Sequence, residues 1–122
     1  MLHIDIVCVG KIRESYLKDA IAEYQKRLSK YCILNIIELP DEKLPSKLND
    51  SLSFEIKQKE SNLILSHIKK DSYIIALDLK GKNYTSTQFS EKIQNLSLIT
   101  SHITFLIGGT LGMTDELLAN AK

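Results

Sequence analysis

The chain has 122 residues, a formal net charge of +1 and 43% hydrophobic residues. This length supports one domain with a single core, and the apolar runs are far shorter than the roughly 20 residues of a membrane-spanning helix. The nearly neutral charge argues against tight binding of nucleic acid through charge alone, because that mode needs many phosphate contacts. The first ten residues lack the features of a secretion signal, so we expect a cytoplasmic protein.

Strands and helices are predicted to alternate four times along the chain. Nearly continuous apolar residues predict strands at 2–9, 33–39, 72–79 and 102–107, with Pro40 ending the second strand and a loop at 40–50. Helical spacing predicts helices at 14–28, 51–68 and 89–96, and a fourth helix after Thr114. This alternation is typical of an α/β fold with a parallel sheet.

The apolar residues of the helices predict which faces are buried. In the first helix, one stripe is expected to pack on the sheet: Leu17, Ala20, Ile21, Tyr24 and Leu28. In the second helix, which Asp50 or Ser53 is expected to cap, the buried set is Leu52, Ile56, Leu63, Ile64 and Ile68. The intervening KQKES is polar and is predicted to face solvent, while Thr85 and Gln88 match a capping box before the third helix.

Ligands of parallel sheets bind beyond the carboxyl ends of the strands. Three candidate places follow: Gly10 and Lys11, the segment 77–81 with Asp78, and the glycine-rich segment 108–112. The G-G-x-x-G pattern there is not a dinucleotide fingerprint, which belongs to the first strand–turn–helix unit. A double glycine after a strand is equally consistent with a tight turn and with a ligand site. For Asp78, a carboxylate at the solvated end of the sheet is favoured over a functional one.

Several kinds of chemistry lack the residues that they need. Cys8 and Cys32 form no CxxC pair, and the three histidines are scattered, so we expect buried free thiols and no metal site. The sequence has no Ser-His-Asp set, paired catalytic acids or P-loop, which disfavours hydrolysis and phosphoryl transfer. These absences favour a reaction that depends mainly on positioning the reactants.

Four motifs in order give a more specific indication. The stretches IDIVCVGKIRESYLKDAIAEYQKRL, IIELPDEK, IIALDLKGK and FLIGGTLGM resemble, at matching spacings, the bacterial pseudouridine N3-methyltransferases of large-subunit ribosomal RNA, in the SPOUT or alpha/beta-knot superfamily. The resemblance runs from residue 2 to the end of the sequence.

The resemblance implies an S-adenosyl-L-methionine-dependent enzyme, without a metal, that methylates N3 of a pseudouridine in 23S rRNA of the ribosome. It also implies a homodimer. Leu77 and Gly108 correspond to residues that line the cofactor pocket, and Gly109 is a neighbour whose missing side chain would leave room for the ligand. No residue is an evident base for the N3 proton, so the catalytic residue is unassigned.

In that family a further strand, a Ser-x-Met-Thr-Phe-Pro-type loop and a final helix complete the knot, and they carry cofactor contacts. We therefore expect residues 1–122 to form a single SPOUT-like methyltransferase domain that is C-terminally incomplete, with four strand–helix units and without the knot-forming strand and helix. Two alternatives are a catalytically silent remnant or interaction module of the same lineage, and a flavodoxin-like nucleotide or regulator domain.

Overall fold

A computed structural model describes residues 2–41, 47, 49–78, 81–109 and 111–121. It contains four strands, β1 (Leu2–Val9), β2 (Cys32–Leu39), β3 (Tyr73–Leu77) and β4 (His102–Ile107). The helices are α1 (Ser15–Leu28), α2 (Asp50–Ser66), α3 (Ser86–Ser97) and the single turn α4 (Asp115–Leu118). The predicted alternation is confirmed, although β3 is shorter than expected and residues 79 and 80 lie outside the described part.

The four strands form one parallel sheet in the order β2-β1-β4-β3. β1 and β4 occupy its centre although they come from opposite ends of the sequence, with His3 beside His102 and Cys8 beside Ile107. β3 pairs with β4 so that Leu77 lies beside Ile107. The parallel α/β class is therefore confirmed, and all four carboxyl ends meet at one edge.

The main core lies on one face of the sheet, beneath α2 and α4. It contains six buried apolar side chains: Val7, Leu39, Ile64, Leu106, Met113 and Leu117. Each such burial contributes roughly 1.5–3 kcal/mol. Because Met113 and Leu117 flank the start of α4, this core also anchors the chain that follows β4.

The packing of α1 differs from the prediction. None of its residues is buried, and Leu17, Tyr24 and Leu28 are 39%, 64% and 41% exposed. Only Ile21 of the predicted apolar stripe is half-buried. On the same face of the sheet, α3 packs more closely, since Leu96 is buried and the Phe89 ring lies 6.0 Å from that of Phe105.

The start and middle of α2 also differ from the prediction. The side chain of Asn49, rather than Asp50 or Ser53, caps the helix by accepting a hydrogen bond from the N–H of Leu52. Leu52 is exposed, Leu63 and Ile68 are partly buried, and Ile56 and Ile64 are buried as expected. Glu60 and Ser61, which were expected to face solvent, are only 5% and 1% exposed.

The predicted caps of the other helices are present. Thr85 and Gln88 form the capping box of α3, and the Thr114 hydroxyl accepts a hydrogen bond from the N–H of Leu117 at the start of α4. Most of the predicted loop 40–50 lies outside the described residues. Within the described part of the chain, no helix combines the length and hydropathy needed to cross a membrane.

Candidate functional site

An open cleft of about 950 Å³ lies at the carboxyl ends of β3 and β4. Its walls come from the end of β3, the segment that joins it to α3, and the glycine segment between β4 and α4. This is where ligands of parallel α/β sheets bind, and the volume is within the range of about 300–1,000 Å³ for small-molecule sites.

All three residues predicted to bind the cofactor line this one cleft: Leu77, Gly108 and Gly109. Leu77 is half exposed, and its backbone neighbour across the sheet is Ile107, the residue before Gly108. Parallel pairing of β3 with β4 thus brings together residues that are about 30 positions apart in the sequence. Asp78 also lines the cleft, whereas Gly10 and Lys11 do not.

Close packing explains the two adjacent glycines. A Cβ atom on Gly108 would lie 2.8 Å from Cγ of Met113 and 3.0 Å from the carbonyl carbon of Gly112. A Cβ atom on Gly109 would lie 2.7 Å from Oε1 of Glu60. Both sites are too crowded for a side chain unless neighbours move. The Gly112 N–H donates to the Gly109 carbonyl at 2.9 Å and closes a tight turn.

The glycine segment is fixed to α2 at its far end. The N–H of Thr114 donates to Oγ of Ser61 at 3.0 Å, and this hydrogen bond is buried. Met113, which is 3% exposed, adds an apolar anchor in the core. The wall of the cleft is therefore held by packed contacts on both sides of the turn.

Charged and aromatic side chains around the cleft offer several kinds of contact. The cations are Lys57, Lys82 and Lys92, and the acids are Asp78 and Asp115. The Lys82 ammonium lies 5.4 Å from the centre of the Tyr84 ring, a cation–π distance. Together with Phe89, these groups suit a ligand that carries charges of both signs and an aromatic ring.

A smaller, basic groove of about 430 Å³ lies on the same edge, beyond the ends of β1 and β2. Lys11, Arg13 and Lys18 line it, together with Asp41. Oε2 of Glu38 accepts a hydrogen bond from the N–H of Ile12 at 2.8 Å, which holds the loop in place. Because β1 pairs with β4, the groove and the cleft lie on neighbouring parts of one edge.

Polar groups at the opposite end of the sheet do not contribute to the cleft. Asp5, 1% exposed, accepts a hydrogen bond from Nδ2 of Asn35 and lies 2.9 Å from Nε2 of His102. His3 stacks on His102, with ring centres 5.7 Å apart. Among the described residues, no group of three or more His, Cys, Asp or Glu side chains is arranged to hold a metal ion.

One thiol has a perturbed acidity. Burial, and secondly the nearby carboxylate of Glu38, raises the pKa of the Cys8 thiol above its usual value. Cys8 and Glu38 are direct neighbours on β1 and β2, and the thiol lies 3.5 Å from the carbonyl of Ile37. Cys8 therefore forms less thiolate near neutral pH than a free cysteine does.

The sequence-based prediction missed Glu60 and Ser61, which support the cleft from behind. A signal was present, because Glu60 is four residues after Ile56 and four before Ile64, on the same side of α2. The prediction gave more weight to the polar character of KQKES than to that spacing. Tyr84 and Phe89, which line the cleft, were not proposed as site residues either.

The fold and the glycine-lined cleft define an α/β protein with a ligand site at the carboxyl edge of a parallel sheet. The family described as "Predicted SPOUT methyltransferase" matches residues 2–122. The chain belongs to this family of methyltransferases.

Two curated relatives illustrate the similarity. The chain is 57% identical over 124 residues to the ribosomal RNA large subunit methyltransferase H of Clostridium botulinum (strain Kyoto / Type A2), a match that covers 99% of this chain and 77% of that protein. It is 50% identical over 121 residues to the ribosomal RNA large subunit methyltransferase H 1 of Clostridium perfringens (strain SM101 / Type A), covering 98% and 76%. The chain thus spans about three quarters of the length of these relatives.

Proposed function

We propose that this protein uses S-adenosyl-L-methionine to methylate N3 of a pseudouridine in 23S rRNA during ribosome maturation. Relatives named as ribosomal RNA large subunit methyltransferases support the RNA substrate. The resemblance of the four motifs supports the methyl donor and the pseudouridine. The observation that carries the proposal is that Leu77, Gly108 and Gly109 border one cleft at the paired ends of β3 and β4.

The residues of the cleft fit this methyl donor. The glycine wall presents backbone atoms of Gly108 and Gly109 to the cleft, so a ligand can approach the backbone closely. The exposed half of Leu77 and the aromatic side chains of Tyr84 and Phe89 offer apolar surface for an adenine ring. Lysine and aspartate side chains at the rim offer partners for a carboxylate and an amino group.

The chemistry requires alignment more than activation. When bound, S-adenosyl-L-methionine supplies a methyl group that its sulfonium already activates. The task of Leu77 and the glycine wall is to hold the donor so that the methyl group faces the RNA base. Well-aligned reactants reach effective molarities of about 10⁵–10⁸ M. The group that accepts the N3 proton stays unassigned.

The basic groove offers a place for the RNA backbone. Lys11, Arg13 and Lys18 are exposed side chains at the carboxyl edge, next to the proposed donor site. We assign phosphate contacts to them, which would place a target base toward the cleft while the backbone follows the edge. Three phosphate contacts by themselves give weak RNA binding, which is consistent with the net charge of +1.

A homodimer in the cytoplasm is the working form that we propose, as the family resemblance implies. Exposed apolar residues on the surface of the single chain support it: Tyr16 and Tyr24 on α1 are 70% and 64% exposed, and Leu98 and Ile99 after α3 are 82% and 75% exposed. Sedimentation equilibrium tests this part, and a chain that stays monomeric at all concentrations would contradict it.

Titration calorimetry with S-adenosyl-L-methionine tests the donor site. We expect binding that Gly108→Trp abolishes, because a side chain there would collide with Met113 and Gly112 and displace the wall of the cleft. Leu77→Ala should weaken binding by about tenfold through lost apolar contact. Leu65→Ala, at a position of α2 that is 38% exposed and does not line the cleft, is the matched control. Absence of binding by the unaltered chain would instead favour a catalytically silent domain.

Reverse transcription of 23S rRNA tests the substrate. A methyl group on N3 blocks the pairing edge of the base, so transcription should stop at the modified position after incubation with enzyme and donor. RNA with uridine in place of the pseudouridine is the control. Methylation of both RNAs at the same rate would contradict the proposed specificity.

A further inference from the structure

Two neighbouring residues of α2 contact opposite ends of the glycine segment. Glu60 lies against Gly109 near the end of β4, and Ser61 binds the N–H of Thr114 at the start of α4. Both side chains are buried, with 5% and 1% exposure, and neither lines the cleft. They therefore act on the site through the segment that they hold.

Glu60 sets the approach of Gly109 to α2. A Cβ on Gly109 would lie 2.7 Å from Oε1 and 3.2 Å from Oε2, so both carboxylate oxygens face this residue. On its other side Gly109 lines the cleft. The backbone of Gly109 thus lies between the carboxylate and the ligand site, so a displacement of the carboxylate is expected to move the wall of the cleft.

Ser61 fixes the far end of the segment. Thr114 precedes the first helical residue of α4, so its N–H has no partner within the helix. Oγ of Ser61 accepts that hydrogen bond at 3.0 Å in a buried position. Without this acceptor a buried donor would lose its partner, and the segment would have to shift toward water.

We propose that Glu60 and Ser61 are positioning residues that set the shape of the cleft wall at 108–109 and 111–114 and thereby its affinity for the methyl donor. This inference rests on the proposed function only in the choice of S-adenosyl-L-methionine as the ligand whose binding is measured. The two contacts hold the backbone between them in the conformation that the ligand meets. Loss of either contact lets the glycine turn move, although neither residue touches the ligand.

Calorimetry of the full chain with S-adenosyl-L-methionine tests the proposal. We expect Glu60→Ala and Ser61→Ala each to weaken binding by about tenfold or more. Glu60→Gln keeps the shape and one acceptor oxygen, so its affinity should stay within about threefold of the unaltered chain. Wild-type-like binding by both alanine variants would overturn the proposal.

Matched controls on the same helix separate positioning from general loss of stability. Glu55→Gln and Ser66→Ala alter exposed side chains of α2 and should leave both affinity and melting temperature unchanged. Ile56→Val trims a buried residue of α2, so it should lower the melting temperature and leave affinity unchanged. If Ile56→Val weakened binding as much as Glu60→Ala at equal stability, positioning would be refuted.

Amide NMR spectra without ligand test the contacts independently of the donor. Glu60→Ala should shift the signals of Gly108, Gly109 and Gly112, and Ser61→Ala that of Thr114, with the signals of α1 unaffected. Unchanged signals in this segment would overturn the inference. If the unaltered chain failed to bind the donor while these shifts appeared, the proposed function would fail and the contacts would stand.

Discussion

The two glycines that follow β4 are crowded by neighbours of different kinds, which predicts different tolerance to substitution. A Cβ on Gly108 would meet the backbone of Gly112 at 3.0 Å, whereas one on Gly109 would meet the end of the Glu60 side chain at 2.7 Å. Backbone cannot move as readily as a side chain. Gly108→Ala should cost about 1–3 kcal/mol of unfolding free energy, and Gly109→Ala less. Urea unfolding measures both, and equal losses would contradict this account.

The raised pKa of the Cys8 thiol can be tested directly by its rate of alkylation. Burial and the Glu38 carboxylate raise its pKa, so less thiolate exists at a given pH than in a free cysteine. In a Cys32→Ser background, alkylation should therefore be slower than that of free cysteine at neutral pH and should accelerate only in more alkaline solution. Glu38→Gln should restore part of the rate, because burial is the larger cause. Alkylation as fast as that of free cysteine would contradict the raised pKa.

At the scale of elements, α1 is the least buried of the three longer helices. It contains no buried residue, whereas α2 and α3 each contain at least one. Local opening requires little free energy where few apolar groups leave water. Hydrogen exchange of the isolated chain at low concentration should be at least about tenfold faster in α1 than in β1. Equal protection of the two segments would show that α1 is held by contacts absent from this structure.

The same elements explain how far sequence patterns could predict the fold. Periodicity identified α1 and its apolar stripe, but it says which residues share a face and not whether anything covers that face. In α2 the pattern failed in the opposite sense, since Glu60 and Ser61 are buried by contacts with the glycine segment, far away in the sequence. Because both residues are polar, residue type alone predicted that they face solvent. Three strands, β1, β2 and β4, were predicted well because their apolar runs end at Gly10, Pro40 and Gly108.

The candidate site was predictable in part. Motif resemblance selected Leu77, Gly108 and Gly109, and the parallel pairing of β3 with β4 brings all three to one cleft. Their role as cofactor ligands stays a prediction until donor binding is measured. Tyr84 and Phe89 carried no local signal, because aromatic residues near a helix start are common in cores and at sites alike.

At the scale of the whole molecule, the basic groove predicts how RNA binding depends on salt. Each phosphate contact with single-stranded RNA contributes about 0.7 to the steepness with which log affinity falls with log salt. Replacing Lys11, Arg13 and Lys18 together by alanine should therefore reduce the magnitude of that slope by about 2. Lys30, Lys69 and Lys70, which lie near the amino ends of β2 and β3, form a control triple of equal charge. Filter binding of a hairpin RNA at several salt concentrations measures both, and equal effects of the two triples would contradict a localised groove.

The central position of β1 and β4 has a consequence for biosynthesis. β1 leaves the ribosome about a hundred residues before its partner His102–Ile107. During that interval one hydrogen-bonding edge of β1 is open, and such edges are prone to pair with other chains. Translation through the intervening hundred codons is thus the period in which the nascent chain depends most on dilution or on chaperones.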